Sequence, residues 1–274
     1  MIIFKSMNNT KAWINSYHSL MKLYQDPVTG LLKGTYASTT GGTGTYDVLG
    51  WASLQEATPA AGQTMAISIL WRSNDGGKSD PSHEVSGMAG QVVAMSKTEN
   101  LELLHLFVET NPVTTPQTGF YPDKLIFVPA ADNETAVVKN DIVSAERAMA
   151  TVTDRITGTW IGKTAGGIIE ISLQLDEAGE TQLSGTITYP NGNKYPVAGF
   201  TDIFASQPAF TMQGITFSTY TDGPGGRSCI AIAGYLDLIS GKIILMQLLA
   251  QTTDSVSTWY QTQLDQLVLQ KEVQ

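Results

Sequence analysis

Cysteine is nearly missing from these 274 residues: Cys229 stands alone, so no disulfide can close within the chain. A lone thiol of this kind is expected as a small buried hydrophobe. Histidine is almost as scarce. His18, His83 and His105 are scattered, none at ligand spacing to another His or to Cys229, which argues against a metal site. Charge is low at 15% of residues, and basic charge is the scarcer sign: 16 Lys and Arg against 25 Asp and Glu give a net charge of −9. Such an acidic surface argues against nucleic acid and against anionic membranes as partners. No apolar run approaches the ~18 residues of a membrane helix. Met1 to Met7 begins apolar but has neither a long apolar core nor a small-residue cleavage site, so it does not read as a secretory signal. The expectation is a soluble chain with no membrane span, its compartment left open between the cytoplasm and export without a signal. The sequons at Asn8 and Asn133 carry no weight without such a signal. Catalytic patterns are missing too. There is no Gly-x-Ser-x-Gly elbow, and the carboxylate pairs Glu99/Glu102 and Asp75/Asp80 read as solvated charge. The chain is therefore expected not to be an enzyme and to carry no cofactor.

What is present points to strands. Apolar residues make up 42% of the chain and glycine is abundant at 26, a foldable composition with many turns. Strand patterns occur at Tyr46–Ala52, at Thr64–Trp71 (T-M-A-I-S-I-L-W), at Val85–Met95, at Leu101–Val108 and at Tyr121–Val128. With the opening segment these come to about eight strands at regular spacing, the pattern of a small up-and-down barrel with room for one small ligand. The Gly/Thr-rich stretch Thr39–Thr45 lacks the Lys-Ser/Thr that ends a phosphate loop and reads as a loop over the barrel mouth. The alanine- and charge-rich stretch 130–156 reads as a partly helical linker, with Asp141 as a candidate cap. A second cycle follows. Gly158-Thr159-Trp160 restarts the opening pattern, Leu183-Ser184-Gly185-Thr186 parallels Leu32-Lys33-Gly34-Thr35, and Tyr195–Gly199 parallels Tyr46–Gly50. The fold class is thus all-β: two tandem eight-stranded antiparallel barrels over 11–129 and 157–271.

The segment that bears most on function is Trp13 to Ser38. It reads as one hairpin turning at Asp26-Pro27-Val28-Thr29-Gly30. In an extended strand Trp13, Asn15, Tyr17 and Ser19 share a face, and Tyr36 and Ser38 share one on the return. An amide, hydroxyls and a phenol would then converge beside Trp13, a hydrogen-bonding set for a small polar group. The plainer alternative is a row of ordinary strand residues facing water.

Trp13-x-Asn15-x-x-x-Ser19 followed by Gly34-Thr35-Tyr36-x-Ser38 resembles the opening hairpin of the avidin/streptavidin family. The resemblance implies a non-enzymatic small-molecule binding protein, with Asn15, Ser19, Tyr36 and Ser38 around the ureido group of biotin or a biotin-like ligand. It further implies that Trp71 is one wall of the family's aromatic box and that Asp123 meets a ureido nitrogen. Trp259 sits near the tryptophan that reaches over a neighbouring subunit's ligand, which would make it a lid on the first barrel. Family tryptophans are replaced near Met88 (or Val85) and His105 and around Thr115, which implies weaker binding than is typical. In the second half, plain counting sets Gly162, Gly166, Ile187 and Tyr189 where Asn15, Ser19, Tyr36 and Ser38 stand, so that barrel is expected to be blind. Gly162-Lys163-Thr164 imitates the end of a phosphate loop without its upstream glycine. The family's habit of barrel packing implies a paired arrangement of the two halves and a homo-oligomer through barrel faces. The apolar run Ile243–Leu249, which calls for burial on both sides, fits such a face. A second class of function stays open: a lectin-like or toxin-like interaction protein that reuses the barrel without binding biotin.

Overall fold

The computed structural model describes residues 10–39, 44–72, 83–94, 98–110, 119–131, 155–176, 181–203, 211–252 and 262–272. The first barrel runs β1 (Thr10–Asn15), β2 (Leu20–Gln25), β3 (Leu31–Ser38), β4 (Gly44–Ala52), β5 (Gln63–Leu70), β6 (Glu84–Ala94), β7 (Glu99–Glu109) and β8 (Gly119–Pro129). The second runs β9 (Gly158–Thr164), β10 (Gly167–Leu175), β11 (Gln182–Thr188), β12 (Lys194–Thr201), β13 (Met212–Gly223), β14 (Gly226–Asp237), β15 (Lys242–Ala250) and β16 (Thr262–Lys271). Within each barrel every neighbour in sequence is an antiparallel neighbour in space, and each sheet closes on itself. β1 meets β8 with Asn15 opposite Phe127, and β9 meets β16 with Gly162 opposite Leu269. Closure removes the sheet edges that would otherwise expose unpaired backbone groups.

Two sequence expectations change. The Trp13–Ser38 segment is three strands, not one hairpin. The chain turns back at Ser16–Ser19, where Asn15 Oδ1 accepts the backbone N–H of Tyr17 (3.0 Å) and of Ser19 (2.9 Å) and His18 adopts φ 63°. Asparagine competes for local backbone donors in this way, and the competition breaks the strand. Tyr17 consequently sits exposed in the turn and leaves the face it was assigned to. The helical part of the 130–156 linker falls on residues 132–154, outside the described residues. No α-helix occurs among those described, and none is long and apolar enough to cross a membrane.

Alternation explains the interiors. In the first barrel Trp13, Met21, Tyr36, Ile67, Met88, Leu103 and Phe127 point inward and form one core. Trp160, Ile171, Ile187, Phe217, Ile232 and Leu245 do the same in the second. Full burial of each such side chain contributes roughly 1.5–3 kcal/mol.

A third apolar cluster lies between the barrels. It joins Ala66, Val85, Ala89 and Leu106 of the first to Cys229, Ala231, Ala233 and Leu248 of the second. Small side chains let the two sheets approach: a Cβ placed on Gly87 would sit 3.3 Å from the Cβ of Ala233 and 3.4 Å from that of Ala231. In the run Ile243–Leu249, Ile243 and Leu245 are buried in the second core and Leu248 in the seam, while Ile244, Met246, Gln247 and Leu249 are half-buried. Polar contacts fix the direction of the pairing. Thr64 Oγ1, at the start of β5, donates to Arg227 O at the start of β14 (2.7 Å). Arg72, just past β5, bonds Asp202, just past β12 (3.2 Å), and His83 also meets Asp202. Trp51 Nε1 donates to Ser218 O at 3.1 Å. The end of the first barrel where β5 finishes therefore lies beside the end of the second where β12 finishes and β13 begins, so the barrels run head to tail.

Candidate functional site

The Asn15 turn also builds the site. With Oδ1 held by two backbone N–H groups, the amide nitrogen is aimed at Tyr36, whose OH lies 3.5 Å from Nδ2. The same turn sets Ser19 across from Asn15, with Asn15 N bonded to Ser19 O at 3.1 Å. Ser19 Oγ is 3.2 Å from Thr39 Oγ1 and accepts the backbone N–H of Thr39, which ties the end of β3 to the turn. Asn15, Ser19, Tyr36 and Ser38 are all buried, with Ser19 fully so. Burial pushes the Tyr36 phenol above its usual range, and its hydrogen bonds with Ser19 and Asn15 partly offset that. The phenol is therefore neutral and keeps its proton for donation. An amide N–H2, a hydroxyl and a phenol thus converge at one end of the barrel, a set of donors suited to one uncharged carbonyl oxygen.

Aromatic rings surround this cluster. Tyr36 and Trp71 meet edge to face at 5.9 Å, Tyr46 and Trp71 lie 4.9 Å apart, and Tyr36 and Phe127 6.3 Å. Trp71 is buried and gives its indole N–H to Ser86 Oγ at 2.7 Å. Ser86 Oγ in turn lies 2.8 Å from His105 Nε2. Burial holds His105 neutral down to about 4 against the opposing pull of the Asp123 charge. Asp123 pairs in register with His105 across β7 and β8 but is itself exposed, on the rim. Met88 is fully buried in the core.

The structure thus brings Asn15, Ser19, Tyr36, Ser38 and Trp71 to one end of one barrel, with Asp123 on its edge. Trp259 and Thr115 lie outside the described residues. Ser86, Thr39, Tyr46 and Phe107 belong to the same end and were not singled out from the sequence. Ser86 could have been found as an inward position on the strand opposite Trp71.

The second barrel corrects one equivalence. The β9–β10 hairpin is longer than β1–β2, pairing Lys163 with Ile168 and Thr164 with Gly167 beyond Gly162 and Ile169. Register therefore sets Ile169, not Gly166, opposite Gly162 in the place of Ser19. The pairs Tyr36↔Met21 and Ile187↔Ile171 confirm Ile187 as the counterpart of Tyr36, and Tyr189 as that of Ser38. Ile230 stands for Ser86, and Gln247 stands for His105. Asp265 opposite Gln247 matches Asp123 opposite His105. Gly162, Ile169, Ile187 and Ile230 offer no side-chain hydrogen-bonding group. The Tyr189 hydroxyl is buried with no partner among the described residues. Gly162-Lys163-Thr164 lies within β9 and forms no loop. Among the described residues no group of His, Cys, Asp and Glu is placed to hold a metal.

The sequence model of the avidin family matches residues 4–117. That span covers the first barrel through β7 and includes every donor of the buried cluster. No curated protein matches the chain.

Proposed function

We propose that this chain, whose first barrel is avidin-like by sequence and by topology, binds one small uncharged ligand of the cyclic-urea type. Biotin or a close analogue is the ligand meant, held at the Asn15–Tyr36 end of the N-terminal barrel and more weakly than is usual for the family. The observation that carries this is the convergence of Asn15, Ser19 and Tyr36 behind an amide whose oxygen is already occupied. Its nitrogen turns one N–H to the Tyr36 hydroxyl and keeps the second to serve a carbonyl oxygen. A ligand there would take hydrogen bonds from Asn15, Ser19 and Tyr36, rest on Trp71, and turn its far side to His105 and Asp123. Met88 and His105 supply less aromatic wall than tryptophan would, at ~25 cal/mol per Å2 of lost apolar contact. Ser86 and His105 already bond each other, and Ser86 takes the Trp71 indole N–H, so they add little contact to an apolar ring. The second barrel serves as a covalently attached partner for the first.

One observation favours the other reading, an interaction protein that keeps these residues for packing. Asn15 and Ser19 already hold the β1–β2 turn and Thr39 in place, so their presence would need no ligand. Calorimetric titration with biotin separates the two. Saturable binding that disappears in Asn15→Ala and in Tyr36→Ala, with both variants folded, supports the ligand site. An absence of heat with biotin and its analogues supports the packing role.

A further inference from the structure

The opposite end of the first barrel holds a second cavity. Trp13, Leu23, Leu32, Met65 and Val92 wall a pocket of about 180 Å3 where β1 begins and β2 ends. Trp13 stands between this pocket and the Asn15–Tyr36 cluster, one inward position from Asn15. The same end of the second barrel is lined differently. There Leu175 takes the place of Gln25, and Leu236 that of Val92. Ile156 is fully buried in the core of that barrel, and its carbonyl accepts the Trp160 indole N–H at 2.8 Å. The equivalent indole of Trp13 makes no hydrogen bond among the described residues.

The polar part of the pocket is built rather than incidental. Gln63 Nε2 donates to Ser53 O (2.8 Å) and to Gln25 Oε1 (3.1 Å), and Gln25 Nε2 donates to Ser53 O (3.0 Å). Both amides are thereby fixed in orientation. One Gln25 N–H and the Gln63 carbonyl are left over, a donor and an acceptor side by side. The mouth carries Lys11, already paired with Glu99 at 3.1 Å, and Glu56. It offers no net positive charge to a carboxylate.

We propose that this pocket is a second binding site, for a small neutral amphiphile. Its carboxamide or lactam head bonds Gln25 and Gln63 and its short apolar tail lies against Trp13. At ~30 Å3 per water the space equals about six waters, enough for such a head and a short alkyl chain. Ligand sites are commonly apolar cavities with a few fixed polar groups of this kind.

The test uses the full chain with hexanamide as probe and hexanoate as its charged counterpart, read by calorimetry and tryptophan emission. Hexanamide is expected to saturate one site and to bind at least about tenfold tighter than hexanoate, the equivalent of ~1.4 kcal/mol. Gln25→Leu, which installs the second barrel's residue type, should weaken hexanamide about tenfold and leave the biotin titration unchanged. Val92→Leu should act likewise by filling space. Hexanamide that fails to saturate, or that binds both variants as it binds the parent chain, overturns the proposal. A negative result with biotin alone has no bearing on it.

Discussion

Gly87 is the position at which the seam between the barrels can be probed most sharply. It lies on β6 and faces β14, and a Cβ added there would meet Ala233 at 3.3 Å and Ala231 at 3.4 Å. Gly87→Ala would already be tight, and Gly87→Val adds two methyl groups with no space to enter. The neighbours are alanines on a central strand, so no flexible side chain can swing aside. Overpacking of this kind costs about 1–3 kcal/mol. At about 2–4 °C per kcal/mol for a chain near this size, the melting temperature should fall by about 2–12 °C. Gly225→Ala is the control, since a Cβ there meets nothing within 4 Å. Differential scanning calorimetry on both variants reads the difference directly. If Gly87→Val melts with the parent chain, the barrels do not pack through this seam and the head-to-tail pairing is wrong.

Other expectations follow from single groups. His105 has an ordinary value of 6.5 but is held neutral to about 4. Between those values the unfolded chain takes up a proton that the native chain refuses, so stability should fall as pH drops from about 6.5 to about 4 and flatten below. Urea melts across that range should show the slope, and His105→Gln, the residue type of the second barrel, should lessen it; an unaltered slope would remove His105 from the account. Burial pushes the Cys229 thiol up to about 12. A thiol reagent at pH 8 should therefore label it only as the chain unfolds, and faster in Gly87→Val; rapid labelling of the native parent chain would contradict its place in the seam.

Much of the architecture could be read from alternation and repetition. Strands such as Thr64–Trp71, and the matching of Tyr46–Gly50 with Tyr195–Gly199, follow from inward apolar positions that any closed sheet must supply. The candidate site was legible because Asn15, Ser19, Tyr36 and Ser38 depart from that apolar rule at inward positions. Counting residues failed where geometry intervened. The Asn15 turn ends β1 early and exposes Tyr17, while the longer β9–β10 hairpin moves the partner of Ser19 from Gly166 to Ile169. The pairing direction of the barrels was not readable, because the closest approach in the seam is at Gly87, Ala231 and Ala233, whose small side chains leave no strong hydrophobic signal in a sequence. Nor was the far pocket, which depends on the difference between Val92 and Leu236 and on the amide pair Gln25 and Gln63.

The stoichiometry of biotin binding bears most directly on the idea that one barrel keeps its polar cluster while its twin has filled the same place with isoleucine. Calorimetric titration of the intact chain is expected to give one biotin per chain, with micromolar or tighter affinity. Two biotins per chain, or none, would contradict it.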